Sequence, residues 1–443
     1  MAELFLRAAS AVITPRFPGP LAGYAARQGG STGTHDELEA NLVVLSQGDV
    51  ATAWLALDAV AVTTELSRAL AEIVRAEMEM PHLVIQVCAS HSHSGPIGWT
   101  GSFFPGHVGD IDVRLRDDLM ASVRDLAREA NRTHATPVTA EWSSSVLAGV
   151  AANRVVADRG TESSLGVLAL RARQDRSLLA IVFDFANHPT VLDPSNRQWS
   201  GDWPAAARCV IAAGYTAARR FGQDSAGAPV LLFLQGAAGD LSTRFVRKGS
   251  GFAEASRIGA IVGCRVLQLL EEGGERLSGE LEIGQSELVL STRSFPEMAD
   301  SAEALDRARK LARGAAGDPY RAAIAVARAQ GAEVQHSLAM ARLEPSVAIP
   351  LTVVSIGDLN WAHAPLELFS SLAAELAART APARTRFVGY CNGYAGYLPD
   401  AEAYELDSYE ALTSLFEPTS AAPFLDALVE LIPAPSHPKE QIS

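Results

Sequence analysis

The chain has 443 residues, 48% of them hydrophobic and 20% charged, which is enough apolar side chain for a large core and too little charge for a disordered polymer. A formal net charge of −14 argues against nucleic acid or an anionic membrane as the main partner. No window approaches the ~18 uninterrupted apolar residues of a transmembrane segment, residues 1–7 lack the basic-then-apolar pattern of a secretion signal, and Cys88, Cys209, Cys264 and Cys391 form no Cys-x-x-Cys pair, so the expectation is a cytoplasmic protein with reduced, buried thiols.

Helix and strand signals then alternate. Leu66, Leu70, Ile73, Val74 and Met78 recur at helical spacing after Thr64, a capping candidate. Residues 83–87 read as a buried strand and 115–131 as a helix. Residues 166–170 and 178–185 form a predicted hairpin around Gln174-Asp175-Arg176. Asp202-Trp203-Pro204 opens a helix, with a capping acid and proline in the first turn. A strand at 230–234 and a helix at 253–272 follow. Residues 301–342, rich in Ala, Arg and Glu, read as a surface segment of two helices broken near Gly314-Ala315-Ala316-Gly317-Asp318-Pro319. Strands are expected at 351–356 and 386–390, and a loose tail at 433–443, which holds Pro433, Pro435 and Pro438. With neither a repeat nor a linker, the fold class expected is α/β: mixed β-sheets layered with helices in a single large domain over 1–432, with the active site at strand ends.

The most informative run is Cys88-Ala89-Ser90-His91-Ser92-His93-Ser94-Gly95-Pro96. Two imidazoles one residue apart in extended chain point to the same face, and the glycine and proline turn the chain away. That suits a metal ligand with a proton shuttle beside it. His188 follows the strand at 178–185, Gly239-Asp240-Leu241-Ser242 follows 230–234, and Tyr397 follows 386–390. Zinc accepts imidazole, carboxylate and occasionally phenolate, and a catalytic site keeps a position for water. The candidate ligands are His91, His188, Glu367 and Tyr397, with His93 to move protons and Arg154 or a tyrosine hydroxyl to steady an oxyanion.

Each residue alone has an ordinary explanation: a hydrogen-bonded loop pair for the histidines, a turn residue for His188, a solvated helix-start acid for Glu367, a core residue for Tyr397. His363 lies near enough to Glu367 in sequence to support it from behind. His35, His82, His107, His134, His336 and His437 belong to no comparable group. A serine hydrolase built on Ser242, His93 and Asp240 lacks the Gly-x-Ser-x-Gly elbow.

Taken together and in order, these segments resemble the catalytic domain of the neutral/alkaline ceramidase family. Ile13-Thr14-Pro15 and Gly23-Tyr24-Ala25 with Gln28 come first. Ser90-His91-Ser92-His93-Ser94-Gly95-Pro96 is similar to that family's Thr-His-Thr-His-Ser-Gly-Pro, and Asn153-Arg154 to its Asn-Arg-Ser-Pro. Asn187-His188-Pro189-Thr190 with Ser200-Gly201-Asp202, then Gly239-Asp240-Leu241-Ser242, then Asn392-Gly393-Tyr394-Ala395-Gly396-Tyr397 with Tyr409-Glu410, complete a series running from about residue 10 to about 420. The resemblance implies zinc ligands at His91, His188, Glu367 and Tyr397, with Pro365-Leu366-Glu367 standing where the family has Pro-Gly-Glu. It implies substrate-side roles for His93, Arg154 and Tyr409, and a positioning role for Ser242. The reaction implied is hydrolysis of an N-acyl (linear amide) bond: zinc hydroxide attacks the carbonyl, zinc and Tyr409 stabilise the oxyanion, and His93 protonates the leaving amine. Val155 and Val156 replace the family's Ser-Pro, Thr243 replaces a proline, and the family's C-terminal β-sandwich has no counterpart here. The expected partner is therefore a smaller or more soluble N-acyl amide than ceramide. Ester or lactone hydrolysis, amide-forming acyl transfer, and ligand binding without turnover are the alternatives.

Overall fold

In the strand Glu39–Gln47, Ala40, Leu42 and Val44 point to one side and Val43 and Leu45 to the other, and all five are buried. A run that is apolar on both faces of a period-2 element belongs inside a layered structure, and both faces here meet their own layer. The computed structural model describes residues 2–103, 109–156, 159, 163–220, 227–315 and 318–433.

One sheet has eight strands in the spatial order Val230–Gln235, Leu178–Phe185, Ser164–Ala172, Thr136–Val146, Leu4–Val12, Glu39–Gln47, Val50–Leu57 and Val84–Ala89, with Glu275–Arg276 added beside Thr136–Val146. Its outermost pairs are parallel and the others antiparallel. A second sheet orders Leu281–Ser291, Ser346–Ile356, Leu359–His363 and Arg384–Val388. The two sheets pack face to face through Val43, Leu45 and Trp54 on one side and Val354, Ile356 and Val388 on the other. Trp361 meets Trp54 and Trp142 edge-on, with centroids 5.4 and 5.8 Å away. Helices Thr64–Glu77 and Val113–Arg132 cover one half of the large sheet's outer face. Asp202–Arg220 and Phe252–Glu272 cover the other half. Ser370–Arg379 and Ala421–Leu431 cover the second sheet. The order is helices, sheet, sheet, helices: an α/β fold of mixed sheets, as the sequence predicts.

The large sheet curls until its two edge strands meet. Gln235 Nε2 donates to Ser90 O at 3.3 Å. The chain leaving Arg384–Val388 enters the remaining gap: Gly389 N donates to Gln235 O, while Ala89 N donates to Tyr390 O and Asn392 N to Val87 O. Per-strand twist in one sense, summed over eight strands, brings such distant edges together. As a result, the carboxyl ends of Val84–Ala89, Leu178–Phe185 and Val230–Gln235 open onto one place.

Several local expectations are corrected. The first helix is capped by Thr63, not Thr64; the Thr63 hydroxyl accepts from Leu66 N. The strand expected at 83–87 runs from Val84 to Ala89, and the one expected at 386–390 ends at Val388, because Tyr390 takes φ +58° and leaves the ladder. Helices Met298–Gly314 and Pro319–Met340 are separate as expected, although residues 316 and 317 of the break lie outside the described residues. The second of them is more than surface: a Cβ on Gly331 would stand 3.0 Å from Tyr409 Cα. Of the four thiols, Cys209 and Cys264 are exposed. His107, His437 and most of the 433–443 tail lie outside the described residues.

Candidate metal centre

His91 does not sit in extended chain. The strand ends at Ala89, and His91 takes φ +66°, a left-handed conformation uncommon for a residue with a Cβ. The turn, and not strand pleat, brings the rings of His91 and His93 together, with their Nε2 atoms 3.3 Å apart. His188 follows Leu178–Phe185 and is held by backbone: its N–H donates to Leu241 O, and it bridges Ser242 in parallel. Glu367 is not a solvated helix-start acid. It lies in the two-residue strand Glu367–Leu368, paired in register with Tyr397, three residues before the helix at Ser370, and is 1% exposed.

These three segments deliver His91, His188 and Glu367 to one point, their nearest nitrogen and oxygen atoms all within 4.8 Å of one another. His188 Nε2 lies 3.1 Å and His91 Nε2 3.6 Å from Glu367 Oε2. The hydrogen-bond network assigns the tautomers. His91 Nδ1 is 2.6 Å from Val60 O, and His188 Nδ1 is 2.7 Å from Ala238 O and 3.0 Å from Leu241 O. A carbonyl only accepts, so each Nδ1 carries the proton and each Nε2 presents a lone pair inward. Burial, and then the charge of Arg154, pushes His188 down to about 3, and burial lowers His91 despite the nearby Glu367. Both imidazoles are therefore neutral at neutral pH.

Glu367 remains ionised. Burial would raise its pKa, but in the acid range where it titrates the charge then carried by His91 and His188, with a bond from Tyr394, outweighs burial and holds it well below the usual carboxylate range. Tyr390 Oη donates to Oε2 at 3.1 Å, and Tyr394 Oη donates to Oε1. Burial and the carboxylate's charge raise both phenols far above their ordinary value, so both stay donors. Three acceptors thus converge, and among the described residues His188 Nε2 has no hydrogen-bond donor, only the Glu367 carboxylate 3.1 Å away. Such a group could hold a cation, and two neutral imidazoles with a carboxylate are a good donor set for a divalent one.

Around this triangle, Arg154 Nε donates to Glu410 Oε1 at 2.7 Å, and one Nη donates to Gly239 O at 2.9 Å and to Tyr397 Oη at 3.0 Å. Tyr409 stands edge-on to Tyr397, with centroids 5.9 Å apart. Burial, followed by Glu367, raises Tyr409 to about 12. His93 is half-buried; its carbonyl accepts from Arg27 at 2.8 Å. Gly23 (φ +93°) makes room for the imidazole, since a Cβ there would lie 2.3 Å from His93 Cγ. Ser242 Oγ accepts from Arg244 N. Among the described residues no hydrogen bond joins Ser242 to a histidine, and the Asp240 carboxylate bonds Asn153 and Ser370 instead, so the serine triad is not assembled. His363 is not behind Glu367: its Nε2 accepts from Trp54 Nε1 at 2.9 Å, between the sheets.

Sequence reasoning missed Tyr390, Tyr394 and the role of Gly23. Tyr394 carried a signal, as part of the same Asn-Gly-Tyr-Ala-Gly-Tyr run as Tyr397; Tyr390, at the end of an apolar strand, carried none.

The α/β fold with two stacked mixed sheets and helices on both sides is the fold of neutral ceramidase. The crystal structure of neutral ceramidase from Pseudomonas aeruginosa superimposes with a TM-score of 0.75 at 17% identity, covering 98% of this chain and 74% of that one. A ceramidase structure described as complexed with C2 gives 0.73 at 16% identity, covering 98% and 75%. No protein-family model and no curated protein matches the chain.

Proposed function

We propose that this chain is a zinc-dependent hydrolase of linear amides, acting on an N-acyl substrate. The observation that carries the proposal is the pair of buried imidazoles whose protons are committed to backbone carbonyls, so that two lone pairs and the Glu367 carboxylate face one another. The likeness in fold to ceramidase supports the amide as the bond attacked.

His91, His188 and Glu367 would hold the zinc, with Tyr397 as the fourth ligand. When bound, the ion supplies Lewis acidity and activates water at neutral pH. Arg154 fixes the Tyr397 hydroxyl and is itself tied down by Glu410, so neither swings when charge develops. Tyr409, kept protonated, offers an O–H to the oxyanion. His93, whose Nε2 lies 3.3 Å from that of His91, would hand a proton to the leaving amine, which departs poorly without one. Ser242 contributes through its backbone, by setting His188. Arg244, two residues further, lies near Arg154, Glu410 and Tyr24 and forms no ion pair among the described residues; pairing with a charged substrate group would favour a substrate more polar than ceramide.

The purified chain should carry close to one zinc per molecule, lose hydrolysis of N-acyl amides to a chelator, and regain it with zinc. Among acyl and amine variants, shorter or charged substrates should be preferred over ceramide. Absence of stoichiometric metal, or chelator-resistant hydrolysis, would refute the metal mechanism. Ceramide turned over as well as the best alternative would refute the substrate class.

A further inference from the structure

Cys88 and Cys391 face each other where the large sheet closes. Cys88 is the fifth residue of Val84–Ala89, three positions before His91. Cys391 follows Tyr390, whose hydroxyl bonds Glu367. The two form an isolated antiparallel bridge. Its hydrogen bonds are made by their neighbours, Ala89 N to Tyr390 O at 3.1 Å and Asn392 N to Val87 O at 2.9 Å. Cys88 and Cys391 are therefore a non-hydrogen-bonded pair, the kind in which opposed Cα atoms approach to roughly 4.5 Å and the side chains leave on one face. That separation falls in the roughly 4.4–6.8 Å range that a disulfide spans without moving backbone. The sulfurs are already 3.0 Å apart, and both residues are 1% exposed. Cys209 and Cys264 lie on the outer helices, exposed.

We infer that Cys88 and Cys391 form a disulfide when the chain folds in the presence of a small-molecule disulfide, and that this bond fastens the segment closing the sheet behind the metal centre. Atoms and electrons balance by exchange. One protein thiolate attacks the small disulfide and releases one small thiol. The second protein thiol then loses its proton, displaces the other small thiol and closes the protein S–S bond. The two protein thiols are oxidised and the small disulfide is reduced to two thiols. The exchange belongs to folding and not to the finished protein: the native sulfurs are enclosed, and burial raises the Cys391 thiol well above its ordinary value. The bond needs neither the metal nor the reaction.

The full-length chain, unfolded and reduced, is refolded in reduced or in oxidised glutathione, then denatured and counted with a maleimide. All four thiols should label after the reducing route and two of the four after the oxidising one, with peptide mapping joining Cys88 to Cys391 and leaving Cys209 and Cys264 free. The oxidised form should melt several degrees higher, and a reductant added to the unfolded chain before refolding should abolish that gain. Cys391→Ser should show the same melting temperature by both routes. Four reactive thiols after the oxidising route, or a linkage through Cys209 or Cys264, overturns the inference; wild-type peptide mapping decides even if Cys391→Ser does not fold.

Discussion

Two charged clusters lie near each other in this chain, and only one of them contains its own cation. Asp58 accepts from Arg208 Nη1 at 3.2 Å, from Arg208 Nη2 and from Glu39 N, while Arg208 Nε lies 2.9 Å from Glu39 Oε2. Cation and anion are both supplied by the chain. At His91, His188 and Glu367 the chain supplies two phenol donors to the carboxylate, while the two imidazole Nε2 atoms and the carboxylate face one another with no cation among the three. Burial costs both clusters their hydration; the one that contains its own cation is complete in itself, and the other could take a cation from outside. The contrast is open to direct test. His188→Ala should abolish stoichiometric metal and cut hydrolysis by at least about 10³-fold, since several kcal/mol of charge stabilisation leave with the ion, while thermal unfolding of the metal-free protein stays near wild type. Metal retained in that variant would place the ion elsewhere.

Asp58→Ala should do the reverse. It strands Arg208 in the interior and should cost about 3–5 kcal/mol in urea unfolding. Activity per folded, metal-loaded molecule should change little. Asp58→Ala with Arg208→Met should recover most of the loss, because the pair is replaced and not broken. Failure to recover would mean that Arg208 also holds Glu39 or the helix at Asp202 in a way the pair alone does not account for.

Much of this was legible in the sequence, and the illegible parts share a cause. Apolar periodicity located the strands at 83–87, 178–185 and 230–234, and chemistry-bearing residues immediately after them marked the site. Period 2 assigns residues to faces but carries nothing about how far eight strands twist, so the meeting of the sheet's two edges could not be read. The left-handed turns at His91 and Tyr390 were equally hidden: histidine visits positive φ more than most residues but is not marked for it by sequence, tyrosine does not favour it, and each is held by groups far away in the chain, His91 by Val60 O and Tyr390 by Ala89 N and Leu366 O. Glu367 looked like a helix-start acid because the helix was visible and its own two-residue strand was not. Once Glu367 is buried, the phenols around it become interpretable; before that, Tyr390 was simply apolar.

Those phenols sharpen the comparison, because they act on the anion of the unbalanced cluster. Tyr394→Phe removes the donor to Oε1 and leaves Tyr390 on Oε2. The ring keeps its place against Phe103, 5.4 Å away. Metal affinity by chelator competition should fall roughly 10-fold, the lower end for a group that orients a ligand, with melting of the metal-free protein shifted by little. An unchanged affinity would show that the Tyr390 bond and the strand pairing with Tyr397 suffice to position the carboxylate.

The smallest effect concerns Asp240, beside the site, where chain-supplied donors only partly offset burial. Burial raises its pKa to about 6, against bonds from Ser370 N and Oγ, each 2.7 Å long. An unfolded aspartate titrates near ~3.9. Between those values the folded chain holds a proton that the unfolded chain has released, so this group's contribution to stability is fully present below about pH 4 and is lost as pH rises through about 6. The Ser370 hydroxyl favours the ionised form, so it matters most where Asp240 is ionised. Ser370→Ala should therefore cost about 1 kcal/mol at pH 5, where a neutral hydrogen bond is lost, and about 2 kcal/mol at pH 7.5, where the bond lost is to a carboxylate. Urea unfolding at the two pH values measures the difference. Equal losses would mean that Asp240 does not change protonation across that interval, and that its three donors hold it ionised in spite of burial, as a balanced cluster would.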